Sequence, residues 1–432
     1  MSKLDFSTLK IKSLPGSDDI TRVQLKNGIT LLFRPNMNSM AVSIGGYIQA
    51  GSIYDPQDKL GLADFTTSTL MRGTKTQKFQ EIFESLESIG ASLAIGCGPH
   101  TSGFGGKALA EDLPTLLKIL ADVLQNPIFP KKDIERVRSR LLTGLDLRAQ
   151  DTNSMAMLEF EKILYKDHPY QNPSDGYIET IQTIQVKDLK DFHQKHFGPK
   201  DMTLVVVGPF EPESVISLAE EQLGSWVNEV QPEAMQVPDD IPSPENSVQN
   251  HHIIEEKSQT DLVVGTIGPS RSWEGYYSAL LGNSVLGQFG MMGRIGESVR
   301  NEAGLAYYAY SALSASIGPG QWMVLAGVAP ENRDKALDLI KEELKKFVDQ
   351  PISAEELRDV KSNYIGKLPL SLESNAGVAS ALLTMEQHQL GLDYLRNYEK
   401  MIQKITPETI LEAAREFLDP ERLIISSAGP EL

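Results

Sequence analysis

The chain has 432 residues, of which 41% are hydrophobic and 23% charged. This composition is typical of globular protein, and the length suggests two to four domains. A formal net charge of -17, with no cluster of lysine and arginine, argues against a nucleic-acid partner. Cys97 is the only cysteine, which excludes an internal disulfide and a cysteine-based zinc cluster. No apolar run reaches about 18 residues and the first residues lack a basic-then-apolar pattern, so we predict no membrane span, no secretion signal and a cytoplasmic location.

Strand and helix signals alternate through the first half of the chain. Residues 1–20 are polar and loosely patterned, so we predict a partly ordered arm. Asn27-Gly28 predicts the turn of a hairpin over residues 23–33. Alternating or wholly apolar runs predict strands, and apolar residues at helical spacing predict helices. The further predicted strands are residues 42–50, 92–97, 104–110 and 202–207, and the predicted helices are 62–71, 79–89, 113–124, 133–147, 155–164 and 186–196.

Residues 228–250 predict an extended linker, because four prolines and several acidic residues lie there with little apolar periodicity. The linker separates an N-terminal domain, residues 21–227, from a C-terminal domain, residues 251–432. The two halves also resemble each other. Ile181-Gln182-Thr183-Ile184 matches Ile402-Gln403-Lys404-Ile405, and the strand that ends at Gly208 matches the one that ends at Gly429.

This repeat predicts an α+β fold of two homologous domains. The hairpin signals favour mainly antiparallel sheets, and the long amphipathic helices must cover one face of each sheet. We expect the two domains to face each other across a cleft, which is a natural place for a ligand.

The segment from Val299 to Tyr310 is the main candidate site. Residues 293–301 predict a helix, Gly304 its C-terminal stop, and residues 305–313 a strand. Arg300 and Tyr307 would then lie on either side of one turn and could together hold a carbonyl oxygen as negative charge grows on it. The alternative is structural, since an arginine late in a helix often bonds free carbonyls and a strand tyrosine is often core or rim.

Several motifs resemble the insulinase/pitrilysin family of zinc peptidases, in its two-subunit, processing-protease-like branch. The motifs extend over nearly the whole chain: Gly51-Ser52-Ile53-Tyr54-Asp55, Gly61-Leu62-Ala63, Arg72-Gly73-Thr74, His168-Pro169-Tyr170 and Arg300 to Tyr307. The resemblance implies duplicated α+β units, and an Arg–Tyr pair seven positions apart that completes the peptidase site.

One family motif is missing. Family enzymes carry His-x-x-Glu-His directly after the Gly-Leu-Ala stretch, where two histidines bind zinc and the glutamate activates water. Asp64, Thr67 and Ser68 stand at those positions here, and only Asp146 is acidic where the third ligand would fall. His193 and His196 are three apart on a predicted helix, but they have no evident acidic or cysteine partner. We therefore predict no metal site and no cofactor in this chain.

The resemblance implies the non-zinc subunit of a heteromeric metallo-endopeptidase. A homologous partner with His-x-x-Glu-His would hold the zinc, and Arg300 and Tyr307 would be catalytic and substrate-binding residues. No peptidase activity is expected from this chain alone. The alternative is a catalytically silent peptide-binding or scaffold protein that forms a homodimer.

Overall fold

The structure, a computed structural model, describes residues 14–288, 290 and 293–431. Most of the predicted arm therefore lies outside the described residues, as do Phe289, Met291 and Met292. The described part contains two β-sheets with helices packed on both. This arrangement confirms the predicted α+β class.

The first sheet has six strands in the order β1-β2-β6-β3-β5-β4. Only β2 and β6 pair in parallel, and every other pair is antiparallel. The turn that joins the first two strands contains Gly28, whose φ of 98° suits glycine. The strands are β1 Thr21–Gln24, β2 Thr30–Pro35, β3 Ala41–Ile48, β4 Ser92–Cys97, β5 Ser102–Leu109 and β6 Thr203–Gly208.

The second sheet has five strands in the order β7-β11-β8-β10-β9. Its single parallel pair is β7 with β11. The order and the pair directions repeat those of β2-β6-β3-β5-β4, so the internal repeat is also a repeat of topology. The strands are β7 Val248–Ile253, β8 Thr260–Gly268, β9 Ala306–Ser314, β10 Gly320–Val328 and β11 Ile424–Gly429.

Fifteen α-helical segments lie among the described residues. Among the helices of the first half of the chain, α6 and α8 had no counterpart in the sequence prediction; in the second half only residues 293–301 were predicted as a helix. The helices are α1 Leu62–Thr69, α2 Phe79–Ser88, α3 Leu113–Gln125, α4 Lys131–Ala149, α5 Thr152–Leu164, α6 Ile178–Thr183, α7 Val186–His196, α8 Pro212–Leu223, α9 Tyr276–Gly287, α10 Gly293–Ile295, α11 Arg333–Asp349, α12 Ala354–Ser371, α13 Asn375–Gln387, α14 Tyr394–Gln403 and α15 Pro407–Phe417.

Helices cover both faces of the central strands, whereas the sequence predicted cover on one face. Every residue of β6 and of β10 is buried, which requires apolar neighbours on each side of the sheet. In the first sheet, Val205 and Val207 pack against α13 through Val378 and Leu382. The alternate residues of β6 are equally buried, and α3 and α8 pack on the nearby strands β5 and β2.

The packing divides the chain into two compact units that are not continuous in sequence. The first unit runs up to Thr143 and adds Pro173–Met235 and Lys367–Glu399, and the second contains Gly144–Asn172, Gln236–Gly366 and the residues from Lys400. The reason is that α5 packs on β8 and β11 of the second sheet, while α13 packs on β3 and β6 of the first. Sequence patterns reveal an amphipathic face but not which sheet it covers.

The predicted linker also contains regular structure at its end. Strand β7 begins at Val248, inside the range 228–250, because Val248 to Ile253 pairs with β11. A proline-rich stretch alone gives no sign of that pairing. No described helix is both long and apolar enough to cross a membrane.

Candidate functional site

Arg300 lies in an unusually wide helical turn. Helix α10 continues directly into a π-helix over Gly296–Glu302, and Arg300 is half-buried within it. π-helices are rare and are often found at functional sites. Gly304 has a φ of 65°, and the Leu305 amide donates to the Val299 carbonyl at 3.0 Å. The predicted helix and its stop at Gly304 are confirmed, with π geometry around Arg300.

Tyr307 lies at a β-bulge near the start of β9. Across the β9–β10 pair, Tyr308 is opposite Gly327 and Ala306 is opposite Val328, so the register shifts between the two. Tyr307 is the extra residue and has no partner in the ladder. Bulges of this kind redirect a side chain and are frequent beside active sites.

The bulge changes the environment of Tyr307. In a regular strand, Tyr307 would share a face with Ala309 and Ser311, both of which are 0% exposed. Its side chain is instead 66% exposed. The strand prediction was correct, but strict alternation would have placed Tyr307 inside the protein.

Arg300 and Tyr307 are both available as hydrogen-bond donors. Within the described ranges, neither side chain makes a hydrogen bond, an ion pair or a ring contact. A guanidinium offers five N–H donors and a phenol one O–H donor. The two residues lie on either side of one turn, as predicted, and this donor set suits an oxygen that gains negative charge.

The positions expected to lack the zinc motif lie on α1. Thr67 is buried, and its hydroxyl is hydrogen-bonded to the Ser102 hydroxyl at 2.9 Å. Ser102 in turn donates to the Ala50 carbonyl at 2.6 Å. Ser68 is only half-buried. A threonine hydroxyl is not a usual zinc ligand or a general base, and this one is already hydrogen-bonded to the sheet.

Asp64 is the one carboxylate among these three positions. Burial, reinforced by Asp175 and opposed by Arg140, raises the pKa of Asp64 to about 6. A single carboxylate does not make a zinc site, which needs three or four ligands. No group of three His, Cys, Asp or Glu residues in the described ranges could hold a metal ion. The residues present therefore do not fit the family's zinc.

Asp55 holds the beginning of α1. Its carboxylate accepts the backbone N–H groups of Gly61 and Ala63, both at 2.8 Å. Burial raises the pKa of Asp55 to about 7, although these N–H donors act in the opposite direction. Burial likewise raises the pKa of the Cys97 thiol, which favours the neutral thiol over the reactive thiolate at neutral pH.

His193 and His196 have structural environments. The His193 ring shares a hydrogen bond of 2.8 Å with the Leu124 carbonyl and stacks on Phe197. His196 is buried and lies against Tyr54 and Phe192. Burial lowers the pKa of each imidazole to about 4. These contacts favour core histidines over a metal pair.

Sequence reasoning missed one cluster near the candidate site. Asp261 is 1% exposed on β8 and accepts a hydrogen bond from the Tyr308 hydroxyl. The available signal was an aspartate that directly precedes the apolar run Leu262–Val264. A charged residue inside a buried strand needs a specific partner, and that partner could not be named from the sequence.

Comparison with known proteins now defines the class. The sequence profile described as "Insulinase (Peptidase family M16)" matches residues 31–174, and the one described as "Peptidase M16 inactive domain" matches residues 183–364. The molecule has two sheets of repeated topology, and the turn with Arg300 and Tyr307 lies in the second unit. This is the α+β architecture of a duplicated peptidase-type fold. The chain belongs to the insulinase family, peptidase family M16.

Relatives and solved structures agree with this assignment. An "uncharacterized zinc protease" of Rickettsia bellii is 26% identical over 393 residues, 90% of each chain. A zinc protease of Bacillus subtilis, YmxG, is 25% identical over 82% of this chain and 85% of its own. A peptidase M16 inactive domain from Pseudomonas fluorescens superposes with a TM-score of 0.89 at 25% identity, over 96% of this chain and 98% of its own. A protease from Helicobacter pylori has the same fold, with a TM-score of 0.87 at 19% identity, over 96% of this chain and 100% of its own.

Proposed function

We propose that this chain is the non-zinc subunit of a heteromeric metallo-endopeptidase. Its partner is a homologous chain with His-x-x-Glu-His, which holds the zinc and the general base. The observation that carries the proposal is the unusual backbone placement of Arg300 and Tyr307 together with their unengaged hydrogen-bond donors. Both are placed by uncommon backbone geometry, a π-helix and a bulge, and neither has a partner among the described residues.

The positions of the lost motif support the same proposal. The Thr67 hydroxyl is bound to Ser102, and Asp64 lacks the further ligands that zinc requires. One solved structure of similar fold is titled as an inactive domain, while the relatives in Rickettsia and Bacillus are named zinc proteases. A subunit that keeps the donors Arg300 and Tyr307 but lacks the metal site is consistent with both descriptions.

In this role the chain binds and orients a peptide. Arg300 and Tyr307 donate to the scissile carbonyl or to the peptide backbone beside it, and they stabilise the oxyanion in the transition state. Strand edges add main-chain hydrogen bonds to an extended peptide, a mode that tolerates varied side chains. The zinc of the partner supplies a polarised carbonyl and an activated water.

Two experiments test the proposal. The tagged chain is first used to capture partners from an extract of its native cell, where we expect a His-x-x-Glu-His homologue. The pair is then co-expressed and assayed against a random peptide pool, alongside each chain alone. Activity of the pair, and of neither chain alone, supports the proposal. Consistent recovery of the chain as a homodimer, with no such partner, favours the catalytically silent scaffold.

A cytoplasmic location is part of the proposal and is checked by fractionation of the same cells.

A further inference from the structure

A buried carboxylate lies on β8, separated by β10 from the strand that carries Tyr307. Asp261 accepts hydrogen bonds from the hydroxyls of Tyr308 and Thr152. The amide of Gln259 donates to both carboxylate oxygens of Asp261, at 2.9 and 3.0 Å. All three donors are neutral side chains, and together they satisfy a group that is 1% exposed.

The Tyr308 hydroxyl is held by two hydrogen bonds, one as donor and one as acceptor. The oxygen donates to Asp261 and accepts from Asn153 Nδ2 at 2.8 Å. A tyrosine hydroxyl can make both bonds at once, because it is a donor and an acceptor. Asn153 belongs to α5, which packs on β8, so the Tyr308 side chain joins β9 to that helix.

Strand β10 leaves space for the Tyr308 ring because the residue opposite Tyr308 is a glycine. Gly327 of β10 pairs with Tyr308, and a Cβ at Gly327 would lie 2.5 Å from Cε1 of the Tyr308 ring and 2.9 Å from Asp261 Oδ1. Contacts that short do not occur in real structures, so only glycine leaves room for the ring and the carboxylate. The glycine and the hydrogen bonds therefore specify the same ring position independently.

This ring position determines the register at Tyr307. The bulge lies directly between the Tyr308–Gly327 pair and the Ala306–Val328 pair. A slip of one residue would move each side chain to the opposite face of the sheet. Because Tyr308 cannot leave Asp261 and Asn153 without loss of both hydrogen bonds, the extra residue has to be Tyr307.

We propose that Tyr308, held by Asp261 and Asn153, is a positioning residue that locks the bulge and keeps Tyr307 exposed in one orientation. The effect on the register of β9 follows from the geometry of the second unit alone. The effect on peptide hydrolysis rests on the function proposed above for Tyr307. The two consequences are therefore measured separately.

The structural consequence is tested by ¹⁹F NMR with 3-fluorotyrosine introduced at position 307 of the full chain. We expect a single resonance at one position in the unsubstituted protein and in Tyr310→Phe. Tyr310 is the matched control, since it lies on the same face of β9 two residues further on and makes no hydrogen bond among the described residues. In Tyr308→Phe the resonance should shift or split. An unchanged resonance would overturn the proposal, even if Tyr308→Phe lowered the melting temperature.

A second variant covers the case in which Tyr308→Phe fails to fold. Asn153→Ala removes only the hydrogen bond that the Tyr308 hydroxyl accepts, from a half-buried residue. It should shift the Tyr307 resonance in the same direction by a smaller amount. No shift in Asn153→Ala, when Tyr308→Phe is insoluble, would also overturn the proposal.

The functional consequence is tested in the reconstituted two-chain complex. Tyr308→Phe should lower kcat about tenfold with Tyr310→Phe unchanged, because a small misplacement of a catalytic group has effects of this order or larger. If Tyr307→Phe leaves turnover unchanged, the proposed function fails while a shifted ¹⁹F resonance still supports the positioning role. If Tyr307→Phe is inactive but Tyr308→Phe has full activity and an unshifted resonance, only the positioning role fails.

Discussion

The guanidinium of Arg294 makes a two-pronged ion pair with the carboxylate of Glu356. Nε contacts Oε1 and Nη2 contacts Oε2, each at 2.8 Å. Arg294 lies in α10, directly before the π-helix of Arg300, and Glu356 lies in the first turn of α12. Burial disfavours the charged carboxylate, but hydrogen bonds from Arg294 and Ser353 outweigh it and lower the pKa of Glu356 to about 2. The pair thus ties the helix that carries Arg300 to α12.

Glu356→Gln should destabilise the protein by about 1–3 kcal/mol, because a half-buried, charge-assisted pair is lost. The control is Glu355→Gln, whose side chain is 78% exposed and meets Arg358 only at 3.4 Å. It should change stability by less than about 0.5 kcal/mol. Urea unfolding of both variants at neutral pH provides the measurement. Equal midpoints for the two variants would show that the Arg294 pair contributes nothing.

Arg300→Ala and Tyr307→Phe should each lower peptide turnover of the two-chain complex by about 100-fold, the cost of one lost oxyanion donor elsewhere. Assembly should be unaffected, since neither side chain makes a hydrogen bond, an ion pair or a ring contact with a described residue. Arg300→Lys keeps the charge but not the planar fork, so it should recover only part of the rate. Gel filtration checks assembly, and Tyr310→Phe is the matched control. Unchanged turnover in Arg300→Ala or Tyr307→Phe would rule out oxyanion stabilisation by the substituted residue.

The purified chain should contain no stoichiometric zinc and show no peptidase activity by itself. The reason is the donor set on α1, where Thr67 is bound to Ser102 and Ser68 offers only a hydroxyl. Elemental analysis after expression in zinc-supplemented medium measures the metal content, with the His-x-x-Glu-His partner as the positive control. One zinc per chain together with hydrolysis by this chain alone would instead identify it as an autonomous zinc peptidase.

Protonation of His193 and His196 should lower stability as the pH drops from about 6.5 toward 4, while the raised pKa values of Asp55 and Asp64 act in the opposite direction over the same interval. An unfolded histidine has a pKa near 6.5, while burial lowers the pKa of both His193 and His196 in the folded chain to about 4. The unfolded chain therefore binds these protons first, and each histidine costs up to about 3 kcal/mol over that interval. Urea midpoints at several pH values follow the loss.

His193→Gln should weaken this pH dependence, while His252→Gln on β7 controls for removal of a histidine. The glutamine amide can still donate to the Leu124 carbonyl that His193 contacts, so the packing loss is kept small. An identical slope between pH 6.5 and 4 in His193→Gln and in the unsubstituted protein would contradict the assignment.

Two glycine substitutions should have opposite signs. A Cβ at Gly304 or at Gly144 would meet no atom within 4 Å, so only backbone conformation matters. Gly304 has a φ of 65°, and Gly304→Ala should cost about 1 kcal/mol in strain. Gly144 lies inside α4, and Gly144→Ala should stabilise by about 0.5–1 kcal/mol because alanine is the better helix former. Urea midpoints measure both, and shifts of the same sign would be incompatible with this argument.

Local patterns alone determined the elements, the repeat and the candidate turn. The apolar run of β6 and the capping position of Gly304 depend on neighbours in sequence, and the repeat is visible when residues 181–184 are compared with 402–405. The missing zinc motif is likewise a matter of which residues stand at positions 64, 67 and 68.

Only the tertiary structure decided which sheet each helix covers and how Tyr307 is presented. The amphipathic pattern of helix α5 does not show which sheet the helix covers. Its packing on β8 and β11 depends on contacts between residues about 100 positions or more apart. The bulge at Tyr307 depends on Gly327, Asp261 and Asn153, none of which is near it in sequence. Sequence periodicity describes one element at a time, whereas register and exposure are set by the partners that pack against it.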